Sequence, residues 1–174
     1  ITFQRNKLLS LSGMYNGEML SASEYKSLAS LDGAGFHGGY NHIVYQMVGQ
    51  PLGVFYLPHS TGLESDGNGG YTYGIADLNG GGVSLEDGED RYVAGQAVPK
   101  TILGSNISFR YKRFDLSLQI NGAFGHKIYN GTSLTYMNMN IFPDYNVMKK
   151  APQQNIKDQT ATDYWLEKGD YVNF

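Results

Sequence analysis

The stretch 103–124, LGSNISFRYKRFDLSLQINGAF, decides the fold. Apolar residues occupy alternate positions on both sides of Lys112-Arg113, and the parity of the alternation changes across this dipeptide. A two-residue turn there would give the strands one apolar and one polar face. The apolar pairs would be Tyr111 with Phe114, Phe109 with Leu116 and Ile107 with Leu118; the polar pairs would be Arg110 with Asp115, Ser108 with Ser117 and Asn106 with Gln119. The stretch therefore predicts an antiparallel hairpin with two chemically different faces.

Such a hairpin suits a soluble β-sandwich, in which the apolar face packs on a core, or a membrane barrel, in which that face meets lipid. The strands approach the ~9–11 residues that a spanning strand needs, and the short turn lies between two long polar segments, which favours the barrel. Lys-Arg is a poor pair for the tightest turn, so a connection one residue longer stays open. We expect an all-β fold with five lipid-facing side chains, namely Ile107, Phe109, Leu116, Leu118 and Ile120.

The composition points the same way and excludes several function classes. The chain of 174 residues contains 23 glycines and 14 tyrosines, which favours strands joined by tight or irregular loops. Its formal charge of −3 gives no general attraction for nucleic acid, and the lack of cysteine excludes disulfides and thiolate metal sites. Nucleophile elbows, Walker loops and dinucleotide fingerprints are also missing from the sequence, so we do not expect an enzyme.

The remaining segments predict short elements within long polar loops. The capping-box pattern at Ser21–Glu24 predicts a short helix over Ala22–Leu31, and two short strands are expected at Ile43–Met47 and Leu52–Leu57. Residues 59–100 are expected to form an exposed loop with one strand at Tyr71–Ile75. The second loop, 125–162, has short helices predicted around Leu134–Met139 and Tyr145–Lys149. Ile1 and Phe174 lie inside alternating segments, so we expect a segment of a longer protein.

Residues 77–90 carry a candidate calcium site. Asp77-Leu78-Asn79-Gly80 resembles the start of a loop in which oxygen ligands alternate and a glycine makes the sharp turn. Asp77, Asn79 and Asp87 are the candidate ligands, although Gly81 and Gly88 stand where two further ligands would be expected. The alternative is an Asx-rich turn that satisfies its own backbone.

Aromatic residues in the loops are candidates for stacking on sugar rings or for anchoring in the membrane interface, and the alternative is local packing within the loops. The candidates are Tyr56, Tyr71, Tyr73, Tyr136 and Trp165.

Several motifs, taken in order, resemble TonB-dependent outer-membrane transporters of the SusC/RagA type. The matching pieces are Asn6-Lys7-Leu8 with Leu11, the run Gly49–Tyr56, Asp77–Gly80 with Gly82 and Asp90-Arg91, Pro99-Lys100, Tyr111–Ser117, Gly125–Asn130 and Trp165–Tyr171. Their order and spacing extend over nearly the whole chain. One departure is Gly81, where the family's loop usually carries aspartate.

The resemblance implies that residues 1–174 are part of the C-terminal half of a transmembrane barrel of about 22 strands, without the plug domain. It also implies an outer-membrane location in a bacterium, a SusD-like surface lipoprotein as partner, and import of oligosaccharides or peptides driven by the TonB complex, which would act through other parts of the protein. The alternative function is that of a soluble secreted β-sandwich that binds carbohydrate or serves in adhesion.

Overall fold

The computed structural model describes residues 1–10, 13–15, 18–20, 26–30, 42–86 and 89–174. Strands dominate it, as expected for an all-β chain. In order they are β1 (Thr2–Phe3), β2 (Gly13–Tyr15), β3 (Glu18–Leu20), β4 (Lys26–Ser30), β5 (His42–Gln46), β6 (Val54–Pro58), β7 (Ser60–Ser65), β8 (Tyr71–Ile75), β9 (Arg91–Gln96), β10 (Thr101–Tyr111), β11 (Phe114–Phe124), β12 (Lys127–Tyr129), β13 (Leu166–Lys168) and β14 (Tyr171–Asn173).

The two longest strands, β10 and β11, form the centre of an antiparallel sheet with the order β1-β10-β11-β14. Their register is the predicted one at every position, from Tyr111 opposite Phe114 to Asn106 opposite Gln119. The turn contains only Lys112 and Arg113, so the longer connection is wrong. Lys112 makes this possible by adopting a φ of 54°. We refer to β10, β11 and their turn as the wall hairpin.

The two long segments leave this sheet at the same end. β1 pairs with the first residues of β10, and β14 pairs with the last residues of β11. Residues 4–100 and 125–170 therefore both depart from the end opposite the Lys112-Arg113 turn. This is the asymmetry that the sequence predicted.

The described parts of these two segments pack against each other. One contributes the antiparallel sheet β4-β5-β6-β9 and the β7–β8 hairpin, and the other contributes the β12–β13 pair. A shared core contains Ile43, Phe55, Leu57 and Tyr73 from the first segment and Leu134, Ile156 and Ala161 from the second. We call residues 42–86, 89–100 and 125–170 the lobe. Among the described residues no sheet closes into a barrel.

Helices are few and short. They are α1 (Gly131–Tyr136) and α2 (Ala151–Gln154), with 3₁₀ turns at Met139–Ile141 and Asp163–Trp165. α1 begins at Asn130, whose side chain accepts from the backbone N–H of Ser133. It lies slightly before the predicted helix at Leu134–Met139. Within the described part of the chain, no helix is both long enough and apolar enough to cross a membrane.

Two predicted helices are wrong. Residues 145–149 are not helical, and the helix follows at α2. Pro152 lies in the first turn of α2, where its missing backbone N–H costs no hydrogen bond within the helix. The helix predicted over Ala22–Leu31 is replaced by β4, which pairs with β5 from Lys26 opposite Gln46 to Ser30 opposite His42. Strand pairing overrides the local capping signal here. The capping-box residues themselves lie outside the described ones.

The segment 59–100 is also more ordered than its composition predicts. The strand at Tyr71–Ile75 is confirmed as β8, and the strands predicted near Ile43–Met47 and Leu52–Leu57 are confirmed as β5 and β6. β7 and β9 were not predicted. β7 pairs with β8, and β9 pairs with β6, so three stretches of the expected loop belong to sheets.

Candidate functional site

The wall hairpin keeps both of its faces open over most of its length. On the apolar face Phe109 is 60% exposed and Leu116 is 62% exposed. On the polar face the guanidinium of Arg110 donates to the carboxylate of Asp115, which is the predicted ion pair. Of the residues expected to face lipid, Ile107 and Leu118 are also exposed and Ile120 is half-buried. In the described structure no core packs against either face here.

In the lobe, the carboxylate of Asp163 joins three elements. One oxygen accepts from the Tyr92 hydroxyl at 2.6 Å and contacts Nδ1 of His59 at 2.8 Å. The other accepts from the backbone N–H of Ser60 at 2.7 Å. Burial alone would raise the pKa of Asp163, but these hydrogen bonds together hold it below its ordinary value. The carboxylate thereby ties β7, β9 and the 3₁₀ turn at Asp163–Trp165 together.

The rings around this carboxylate form a connected aromatic cluster. Trp165 Nε1 donates to the Tyr73 hydroxyl at 2.7 Å, and Tyr164 lies against both rings at centroid distances of 5.0 and 5.3 Å. Burial raises the pKa of Tyr73 to about 12. Burial and the bond to Asp163 raise the pKa of Tyr92 to about 12. Both phenols therefore stay neutral donors and acceptors at physiological pH.

The five candidate ligand aromatics occupy different environments. Tyr56 and Tyr73 are buried, Tyr56 edge-on against Tyr45 and Tyr73 in the shared core. Trp165 and Tyr136 are half-buried, and Tyr71 is exposed. Burial gives Tyr56 and Tyr73 mainly a packing role. The binding of a ligand by these aromatics stays a prediction.

The candidate calcium ligands act on the backbone of their own loop. Asp77 accepts from the N–H groups of Gly80 and Gly82, and Asn79 accepts from Gly81. The buried carboxylate of Asp90 holds the same loop through Leu78 and Ser84. This is the Asx-turn arrangement that was the alternative to a metal site. Asp87 lies outside the described residues, which contain no group of three or more potential metal ligands.

Basic residues gather where the lobe meets the wall hairpin. A cleft of about 370 Å³ is lined by Lys100, His126, Lys127 and Lys168, and Asp170 is the acidic residue in its lining. No local pattern predicts this cluster, because its members come from separate elements. Asp163 and its partners were also missed, since His59 and Asp163 are 104 residues apart in the chain.

Comparison with known proteins gives one clear similarity. The chain is 28% identical over 145 residues to the "TonB-dependent receptor P3" of Formosa agariphila, and the match covers 71% of this chain and 14% of that receptor. The chain thus spans a small part of the relative that it matches. No protein-family model matches the chain. The similarity supports the family of TonB-dependent transporters, whose members are not enzymes, and indicates an outer-membrane location.

Proposed function

We propose that this chain supplies wall strands and extracellular loops of a SusC/RagA-type transporter. The protein would import oligosaccharides or peptides across the outer membrane with a SusD-like lipoprotein as partner. Energy would come from the TonB complex acting on other parts of the protein. The similarity to a TonB-dependent receptor supports the transporter class, and the ordered motifs that resemble the SusC/RagA type support the narrower assignment.

The wall hairpin is the observation that carries the proposal. Its strands are eleven residues each, close to the ~9–11 residues of a strand that crosses a bilayer. One face carries only apolar side chains between Ile107 and Leu118, and the opposite face carries only polar ones. An exposed apolar face of this kind is stable against hydrocarbon, while the polar face suits a water-filled interior.

A soluble β-sandwich would use the apolar face differently. It would bury Phe109 and Leu116 against a second sheet. In the described part of the chain, the buried hydrophobic residues lie in the lobe, apart from Ala123 near the end of β11. The apolar face of the wall hairpin is therefore more stable in contact with lipid than with water, which favours the transporter over the sandwich.

Single cysteines along β11 test which face meets lipid. In the intact protein embedded in membranes, we expect Ser117→Cys, Gln119→Cys and Asn121→Cys to react with a water-soluble maleimide. The alternating sites Leu116→Cys, Leu118→Cys and Ile120→Cys should react slowly with this reagent and be shielded from it by lipid. Equal aqueous reactivity of the two sets would disprove the assignment of the faces.

Uptake measurements test transport itself. Cells that carry the full-length protein would be given pools of fluorescent oligosaccharides or peptides, with and without TonB. We expect accumulation of one pool, and its loss when either TonB or the protein is removed. Accumulation that depends on the protein but not on TonB would contradict the proposed mechanism. Deleting the proposed SusD-like lipoprotein tests the partner, since its loss should reduce uptake at low substrate concentration.

A further inference from the structure

The basic cleft at the base of the lobe has an unusual pairing of charges. Lys127 of β12 stands directly opposite Lys168 of β13. Like charges directly opposite each other destabilise an antiparallel pair. Glu167 does not relieve this repulsion, because neighbouring side chains on a strand point to opposite faces, and its carboxylate accepts from Asn130 instead.

The cleft carries an excess of positive charge. Lys100 joins the lysine pair, and the carboxylate that lines the cleft, Asp170, accepts from the backbone N–H of Gly125 at 2.7 Å. Among the residues that the structure describes, none of these three ammonium groups forms an ion pair. Nδ1 of His126 is buried without a hydrogen-bond partner in the same part of the structure. The described lining of the cleft therefore carries net positive charge, with three ammonium groups against one carboxylate.

Three glycines give the basic side chains their positions. A Cβ on Gly95 would lie 2.8 Å from Cδ of Lys127, so the lysine stem lies directly against the backbone of β9. A Cβ on Gly125 would lie 3.0 Å from Cβ of Lys100, and one on Gly169 would collide with the His126 ring. The three glycines thus leave room for the stems of Lys100 and Lys127 and for the His126 ring. Such close packing limits the freedom of these side chains before any ligand arrives.

The cleft also has a defined place relative to the wall hairpin. The backbone N–H of Lys100 donates to the carbonyl of Phe124, the last residue of β11, so Lys100 lies at the end of the wall hairpin where the lobe begins. An adjoining cleft of about 590 Å³ shares Lys100 and adds Arg5 and Lys7, so the positively charged surface continues from the first cleft into the second.

We propose that this cleft binds a carboxylate or sulfate group carried by the imported oligosaccharide. The inference rests on the proposed function and narrows its substrate class to anionic sugars. Lys127 and Lys168 would hold the anion between them, since a shared anion removes their mutual repulsion. Lys100 would contact it from the wall side, and the His126 ring would offer an N–H donor.

Lysine footprinting of the intact protein in detergent tests this binding directly. Reductive methylation of each lysine would be followed by mass spectrometry in sodium sulfate, sodium glucuronate, glucose or sodium chloride, with the charged solutions at equal ionic strength. We expect one or both of the anions sulfate and glucuronate to slow methylation of Lys100, Lys127 and Lys168 by about threefold or more. Lys149 and Lys150, which are exposed outside the cleft, serve as internal controls.

The pattern of protection separates the outcomes. Protection by sulfate alone or by glucuronate alone identifies which anion the cleft takes, and protection by both identifies the shared chemistry. Equal rates in sulfate, glucuronate and chloride would overturn the inference, as would equal slowing of Lys149 and Lys150. In Lys127→Gln/Lys168→Gln, the anion concentration that half-protects Lys100 should rise by about tenfold. The matched variant Lys149→Gln/Lys150→Gln should leave it unchanged.

This experiment can fail independently of the proposed function. Footprinting needs neither TonB nor transport, so an unprotected cleft in a protein that still gives TonB-dependent uptake refutes only the inference. A protected cleft in a protein without uptake refutes only the proposed function.

Discussion

Replacing Leu118 with arginine tests the position of the wall hairpin in the membrane. Leu118 lies four residues beyond Phe114, which begins β11 at the turn. At ~3.4 Å per residue and a tilt of ~40°, it stands about 10 Å above the turn end. The lipid-facing apolar band of such barrels is about 25 Å tall, so Leu118 is near its middle. An arginine at this depth should destabilise the folded protein by about 2–4 kcal/mol.

Two matched variants test whether the cost of the arginine depends on its depth in the membrane and on the face of the hairpin. Phe114→Arg places the same charge on the same face beside the turn, where the cost should fall to about 0–1 kcal/mol. Gln119→Arg places it one residue away on the polar face, where the side chain stays in water and stability should be nearly unchanged. A cost of about 2–4 kcal/mol changes the folding equilibrium by roughly 30- to 1000-fold.

The assay is a urea titration of the full-length protein refolded into phosphocholine vesicles. The folded fraction would be measured from the mobility difference of unheated and heated samples on an SDS gel. We expect the midpoint of Leu118→Arg to fall well below that of Phe114→Arg and Gln119→Arg. Equal costs for Leu118→Arg and Gln119→Arg would refute the two-faced hairpin, and a larger cost for Phe114→Arg would refute the depth.

Three further predictions concern the lobe. Leu134→Ala removes a fully buried side chain from the core shared by both segments and should cost about 2–5 kcal/mol, measured as lost hydrogen-exchange protection in β6 as well as in α1. Trp165→Phe removes the donor to Tyr73 and should cost about 1–3 kcal/mol in thermal unfolding, with less than additive loss in the double variant Trp165→Phe/Tyr73→Phe. Because the folded-state pKa of Asp163 lies below its ordinary value, its stabilisation is complete above about pH 4 and is lost as pH falls through the lower folded value. Protection of β7 against hydrogen exchange should therefore decline in acid, and Asp163→Asn should flatten that decline.

The wall hairpin could be predicted from sequence because its determinants are local. Alternation fixes which side chains share a face, and the parity change at Lys112-Arg113 fixes the register with no knowledge of other segments. The turn was harder to predict, because Lys112 adopts a left-handed backbone conformation that its side chain does not favour. The benefit of pairing two eleven-residue strands outweighs this local cost.

The lobe could not be predicted in the same way, because its contacts are long-range. Nothing near His59 indicates Asp163, and nothing near Lys127 indicates that Lys168 stands opposite. Polar, glycine-rich composition suggested loops at residues 59–100, yet β7 and β9 form there by pairing with β8 and β6. Scattered apolar residues such as Leu57 and Tyr73 are enough to form a core when apolar residues of another segment pack against them.

The shared core has a consequence for how specificity can change. Leu134 and Ile156 from one segment cover Phe55 and Leu57 from the other, so neither segment can be replaced alone without exposing apolar surface. The lysines of the basic cleft come from both sides of this core: Lys100 precedes β10, whereas Lys127 and Lys168 belong to the second segment. Exchanging residues 125–170 alone with those of a related transporter should therefore disturb the lobe and leave Lys100 without its partners. Under the proposed function, a change of substrate would require both segments to be exchanged together, because their mutual packing positions the cleft.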